Sequence, residues 1–127
     1  MRPNNGAGSD VVGFAPIDLP DGATITGVRG YYYDNGATSP NPTWFCKVNR
    51  RPLGYFGFET IAEQNTTINW ADSVSTVRQV ASDLVSVPVN KSTYVYYLYA
   101  GLQNTDGSDN FRHYGCRVTY TYTNTNN

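Results

Sequence analysis

Apolar positions in this chain recur at every second residue, and in the longest such run, Thr93 to Leu102, both phases of the alternation are apolar or aromatic. As a β-strand this run projects Tyr94, Tyr96, Leu98, Ala100 and Leu102 to one face and Val95, Tyr97 and Tyr99 to the other, because side chains alternate along a strand. An antiparallel sheet with one buried face ordinarily carries polar residues on the other. Here the polar face is missing. Tyr97 and Tyr99 need a cover, either another segment of the chain or another copy of it.

The rest of the chain falls into strands and turns around this run. Met1 to Asp10 is polar and Gly-rich and reads as a flexible arm. Val11 to Ile17 reads as a short strand, which Pro16 and Pro20 restrict to a sheet edge. In the turn Leu19-Pro20-Asp21-Gly22, Pro20 presets φ and Gly22 accepts a positive one. Ala23 to Asp34 is a second long strand. A bulge at Gly27 shifts its inward set from Ile25 to Val28, Gly30 and Tyr32, leaving Tyr31 and Tyr33 pointing away from the core. Trp44, Cys46 and Val48 form the inward phase of a third strand that closes at Arg50-Arg51-Pro52. Between Leu53 and Asp83 the alternation weakens, and the pattern predicts strands at Tyr55 to Glu63 and Val74 to Ser82. After a hairpin loop at Asn104 to Asn110, a final strand from Phe111 to Tyr122 turns Tyr114, Cys116, Val118 and Tyr120 inward and His113, Gly115, Arg117 and Thr119 outward.

At 127 residues the chain has the size of one ordinary domain, predicted here over residues 11–123 with residues 1–10 as the arm and 124–127 as a tail. Tyrosine is abundant, at 11 residues, and no helical periodicity extends beyond two turns. The pattern therefore predicts an all-β fold: a two-sheet antiparallel β-sandwich, jelly-roll-like, of about seven or eight strands. A formal charge of -1 leaves no electrostatic footprint for nucleic acid. No apolar run approaches the roughly 20 residues of a membrane-spanning helix, and no signal-peptide pattern opens the chain.

Several of these segments together resemble a β-sandwich module of bacterial secreted and surface proteins, usually described only as hypothetical. The residues that carry the likeness are Phe14-Ala15-Pro16, Leu19-Pro20-Asp21-Gly22-Ala23-Thr24-Ile25-Thr26, the Tyr-rich end at Asp34, Tyr96-Tyr97-Leu98, and Tyr114-Gly115-Cys116-Arg117-Val118, with Arg2-Pro3 resembling the module's start. The likeness covers most of the chain and lapses between Leu53 and Asp83. It implies an extracellular or surface setting and brings no catalytic residue with it.

Candidate chemistry is sparse. Cys46 and Cys116 fall on inward faces. They are either a disulfide, if their Cα atoms lie within about 7 Å, or two buried thiols packing as small apolar groups. The single histidine, His113, is predicted to face outward beside Arg112 and Arg117, with no nucleophile at motif spacing. Glu59 and Glu63 have the chemistry of an acid and base pair, although a solvated strand explains two same-face carboxylates more simply. Asp106 and Asp109 supply oxygen ligands that suit calcium, in a loop that an ordinary hairpin turn also accounts for. No other cofactor is expected.

The aromatic excess is the stronger signal. Tyr31, Tyr33, Tyr97 and Tyr99 form the predicted outward set, and each ring would bury about 150–250 Å² if covered. The first expectation is a non-catalytic structural subunit that packs against copies of itself through these rings, in a surface layer, filament or virion coat. The alternative is a carbohydrate-binding module in which exposed tyrosines, with Trp44 and Trp70, stack on sugar faces.

Overall fold

β-Branched and aromatic residues at a two-residue period favour extended backbone, and the chain follows this rule almost throughout. The computed structural model describes residues 9–34, 43–67, 76–105 and 111–123. Among them are eight strands: β1 (Ser9–Ile17), β2 (Thr24–Asp34), β3 (Thr43–Pro52), β4 (Glu59–Thr67), β5 (Thr76–Ala81), β6 (Val87–Pro88), β7 (Tyr94–Thr105) and β8 (Phe111–Thr121). All pairings are antiparallel.

The strands form two four-stranded sheets packed together. The first has the order β1-β7-β3-β4, so the Tyr-rich β7 is an interior strand. Pro16 lies on β1, at the sheet edge, where its missing N–H costs no ladder bond. The second sheet is built on β2. β8 pairs with it from Thr24 to Asp34, so β5 and the two-residue β6 share its other flank. The segment between β5 and β6 runs along that flank, with Ser82 N donating to Val28 O (2.8 Å) and Val85 N to Thr26 O (3.0 Å).

The core lies between the sheets. Ile25, Val28 and Tyr32 of β2 meet Trp44, Cys46 and Val48 of β3, Ile61 and Ala62 of β4, and Tyr96, Ala100 and Leu102 of β7. The inward set on β2 is the one its Gly27 bulge predicts: the pairing with β8 slips between Ile25 and Gly27, and Ile25, Val28 and Tyr32 are buried. Trp44 is the largest fully buried side chain among the described residues, and its six-membered ring occupies the space where a side chain on Gly30 would stand. Tyr96 seals one end. Its hydroxyl accepts from Asn90 N (2.8 Å) and lies 3.5 Å from Pro88 O, tying the turn before β7 to the core.

Several boundaries differ from the sequence pattern. β1 begins at Ser9, inside the stretch predicted as an arm. The turn after it runs from Pro20 to Ala23, closed by Ala23 N to Pro20 O (3.0 Å) with Gly22 at φ 86°, so Pro20 stands at the first corner rather than the second. The strand predicted at Tyr55 to Glu63 starts only at Glu59. Before it, Pro52 O accepts from Tyr55 N (3.3 Å) around Gly54 at φ 77°, a turn that ends the alternation. Of the strand predicted at Val74 to Ser82, the structure shows β5, Thr76–Ala81; Val74 lies outside the described residues.

Gly30→Ala tests the core directly. The added methyl overlaps Trp44, and overpacking of this kind costs about 1–3 kcal/mol. Urea denaturation should show a lower midpoint with an unchanged slope; an unaltered midpoint would mean that Trp44 does not occupy this position.

Candidate functional site

Two arrangements stand out, one inside the fold and one on its surface. The internal one follows from a bulge in β8. Tyr31 pairs with Gly115 and Tyr32 with His113, so Tyr114 is the extra residue with no partner opposite it. The bulge reverses the alternation. His113, predicted to face outward, takes the inward position opposite the buried Tyr32, and Tyr114, predicted inward, is exposed. Tyr120, also predicted inward, is likewise exposed, near the end of an edge strand. Past the bulge Cys116 faces Gly30, and it is disulfide-bonded to Cys46 with Cα atoms 6.2 Å apart.

Trp44 Nε1 donates to His113 Nδ1 at 2.7 Å, and His113 Nε2 lies 3.9 Å from Cys116 Sγ. An indole nitrogen can only donate, so Nδ1 is the acceptor and the proton of the neutral imidazole sits on Nε2. Cys46, His113 and Cys116 bring their ligand atoms within 4.8 Å of one another, the spacing of a metal site. Their chemistry does not fit one: both sulfurs are bonded to each other, one ring nitrogen is engaged by Trp44, and the other carries a proton. Burial pushes His113 down to about 4. The cluster is a neutral, hydrogen-bonded brace between the sheets.

The surface arrangement lies on the outer face of the β1-β7-β3-β4 sheet. Phe14 on β1 pairs with Tyr99, and Pro16 with Tyr97. The Phe14 and Tyr99 rings stack at 4.8 Å, Phe14 and Tyr97 lie 5.9 Å apart, and Tyr99 tilts against Phe45 of β3 at 5.1 Å. Phe45 is only 2% exposed although it belongs to the outer face. Tyr99 covers it on one side, and the Lys47 ammonium sits 5.6 Å from its ring centre. Phe14, the ring that covers Tyr99, is itself 70% exposed. Beside it, an open groove of about 470 Å³ is lined by Phe14, Ala15, Pro16, Arg51, Val95, Tyr96 and Tyr97. The aromatic face predicted for β7 is therefore present, partly covered by a neighbouring strand whose own aromatic ring faces outward.

At the end of the same sheet, the β3–β4 connection carries Leu53, Tyr55, Phe56 and Phe58, all exposed, with Phe56 wholly so. Gly54 and Gly57 take φ of 77° and 98°. Leu53 N donates to Thr93 O (2.9 Å), anchoring the root of this loop to the start of β7. The sequence pattern missed it as a surface element. Its signal was the repeat Leu53-Gly54-Tyr55-Phe56-Gly57-Phe58, in which a glycine recurs every third residue and defeats a two-residue period.

Other predicted site residues separate from this face. Tyr31 and Tyr33 are half-buried on the second sheet; Tyr33 stacks on Tyr114 at 6.2 Å with the Arg112 guanidinium 5.3 Å from its ring centre. Trp44 is fully buried, so it offers no platform to a sugar. Trp70, Asp106 and Asp109 lie outside the described residues. Glu59 pairs with Arg50 at 2.9 Å and Glu63 with Lys47 at 3.6 Å, across the β3–β4 ladder. Exposed pairs of this kind contribute about 0–1 kcal/mol and leave the carboxylates solvated. No helix among the described residues is long and apolar enough to cross a membrane. No protein-family model, curated protein or solved structure matches the chain.

The His113 brace gives a pH signature. Its pKa falls from about 6.5 in the unfolded chain to about 4 in the folded one, so the unfolded state binds the extra proton between these values. Stability is full above about pH 6.5 and is lost as pH falls towards 4, by on the order of 2 kcal/mol once solvent screening is allowed for. His113→Leu should lower stability at pH 7, by leaving the Trp44 N–H unsatisfied, and should flatten the pH dependence in this window. Denaturation at pH 7 and pH 4.5 checks both; equal slopes for the two proteins would contradict the buried neutral imidazole.

Proposed function

We propose that the chain is a non-catalytic β-sandwich subunit, jelly-roll-like in plan, that assembles with copies of itself into a layer, filament or coat. The all-β fold is consistent with a structural rather than a catalytic role. The observation that carries the proposal is the outer face of the β1-β7-β3-β4 sheet, where Phe14 stands 70% exposed on a stack of Tyr99 and Phe45. Rings of this kind are low-entropy anchors when a second surface closes over them. Tyr97 belongs to the same face, and Tyr31 and Tyr33 give the opposite sheet a smaller aromatic surface for a second contact.

The setting we propose is extracellular, on a cell surface, with a virion as the alternative. What supports it is the Cys46–Cys116 disulfide, since such bonds persist in oxidising surroundings. Native mass measured by light scattering over a concentration series, with electron microscopy of the same samples, tests the assembly. Regular oligomers or fibres are expected for the wild type, and Phe14→Ser should shift them towards monomer by about tenfold or more in concentration. A wild-type chain that stays monomeric at millimolar concentration would overturn the proposal.

A further inference from the structure

Phe56 and its neighbours form a knob with no counterpart in the core. Leu53, Tyr55, Phe56 and Phe58 project from one short loop, and the open groove lined by Phe14, Pro16, Arg51, Val95 and Tyr97 begins within two residues of its root on both β3 and β7. A groove of about 470 Å³ falls in the range that takes a small organic molecule, which leaves room for a phenyl ring. The turn closed by Tyr55 N to Pro52 O and the bond from Leu53 N to Thr93 O hold the root of the knob at the end of its own sheet.

We infer that the occupant of the groove is the Leu53–Phe58 loop of a second copy, exchanged reciprocally about a two-fold axis. This inference rests on the assembly reading above and assigns its contact. Three observations favour it. Knob and groove are adjacent on one surface, which is the arrangement a two-fold contact needs, because each copy must give and receive across the same patch. The area is right: Phe14, Tyr55, Phe56 and Phe58, exposed by 65% to 104%, leave on the order of 600 Å² of ring surface at about 150–250 Å² each. With Leu53 and Val95 the patch approaches the roughly 800 Å² per partner of a standard interface and exceeds what monomers ordinarily leave bare.

Charge is the third. A net charge of -1 sets up little repulsion between copies. The same end of the molecule carries Asp18, Asp21 and Glu59 balanced by Arg50, Arg51 and Lys91, with Lys91 paired to Asp18 and Arg50 to Glu59, each at 2.9 Å. A loop that inserts into an anionic membrane would sit in a predominantly basic rim, so a protein surface suits this knob better than a lipid one.

The test is complementation between two variants of the full chain. Phe56→Ser removes the knob at a wholly exposed position and leaves the groove intact; Val95→Arg fills the groove and leaves the knob intact. Circular dichroism and thermal melts confirm that each is folded, and Phe58→Ser replaces Phe56→Ser should that variant fail. Each variant alone should dimerise at least about tenfold more weakly than the wild type by analytical ultracentrifugation. Their equimolar mixture should recover a heterodimer, since the knob of one then meets the groove of the other.

Wild-type assembly untouched by either variant would overturn this inference and leave assembly standing. Two weakened variants whose mixture recovers nothing would also overturn it. A wild-type chain that is monomeric throughout would overturn both readings. Sedimentation of the monomer with vesicles of phosphatidylcholine and phosphatidylserine, abolished by Phe56→Ser, would assign the loop to lipid instead.

Discussion

The structure depends most on the contact between Trp44 and Gly30. The two sheets meet where the six-membered ring of an indole on β3 takes the space that a side chain at Gly30 of β2 would fill. His113 holds the indole nitrogen, and Cys116 beside it is bonded to Cys46, one inward position along β3. The disulfide closes a loop of 70 residues, worth about 4 kcal/mol of lost unfolded-state entropy on the chain-entropy model. Truncating a buried tryptophan costs about 3–5 kcal/mol. Each is a large fraction of the net stability of an ordinary domain, about 5–15 kcal/mol. Surface ion pairs such as those between Lys47 and Glu63, Arg50 and Glu59, and Lys91 and Asp18 add little by comparison.

Once that contact is made, one face of β7 completes the core and the other becomes surplus. Tyr96, Ala100 and Leu102 are buried between the sheets, while Tyr97 and Tyr99 hold an outer layer with Phe14 and Phe45 that the fold does not need for its interior. A chain under no demand except solubility would place polar residues there. Aromatic side chains kept on an outer sheet face and again on an adjoining loop point to a surface made to be covered, and the assembly proposal follows from that excess of apolar area.

Much of the fold was legible in the sequence where a residue's environment depended on its own strand. The alternation in β7, the inward shift after Gly27 and the inward placement of both cysteines needed only the two-residue period and the chemistry of glycine. His113 and Tyr114 exchanged places because a bulge is a property of two paired strands, and neither strand alone records the slipped register. Phe45 read as an outward residue and is outward, yet it is buried, because the cover comes from Tyr99 on the next strand. The Leu53–Phe58 loop was hidden for the opposite reason. Its aromatic residues look like strand formers, and only the turn at Gly54 shows that their composition serves exposure instead of a sheet.

The most direct test of the aromatic face as an assembly surface is oxidative footprinting of the wild-type protein at low and high concentration. The account predicts that concentration protects Phe14, Tyr97, Tyr99 and Phe56 from modification, while Tyr122, exposed at 51% beyond the end of β8, keeps its reactivity. Equal modification of Phe14 and Phe56 at both concentrations, in samples that light scattering shows to be assembled, would contradict it.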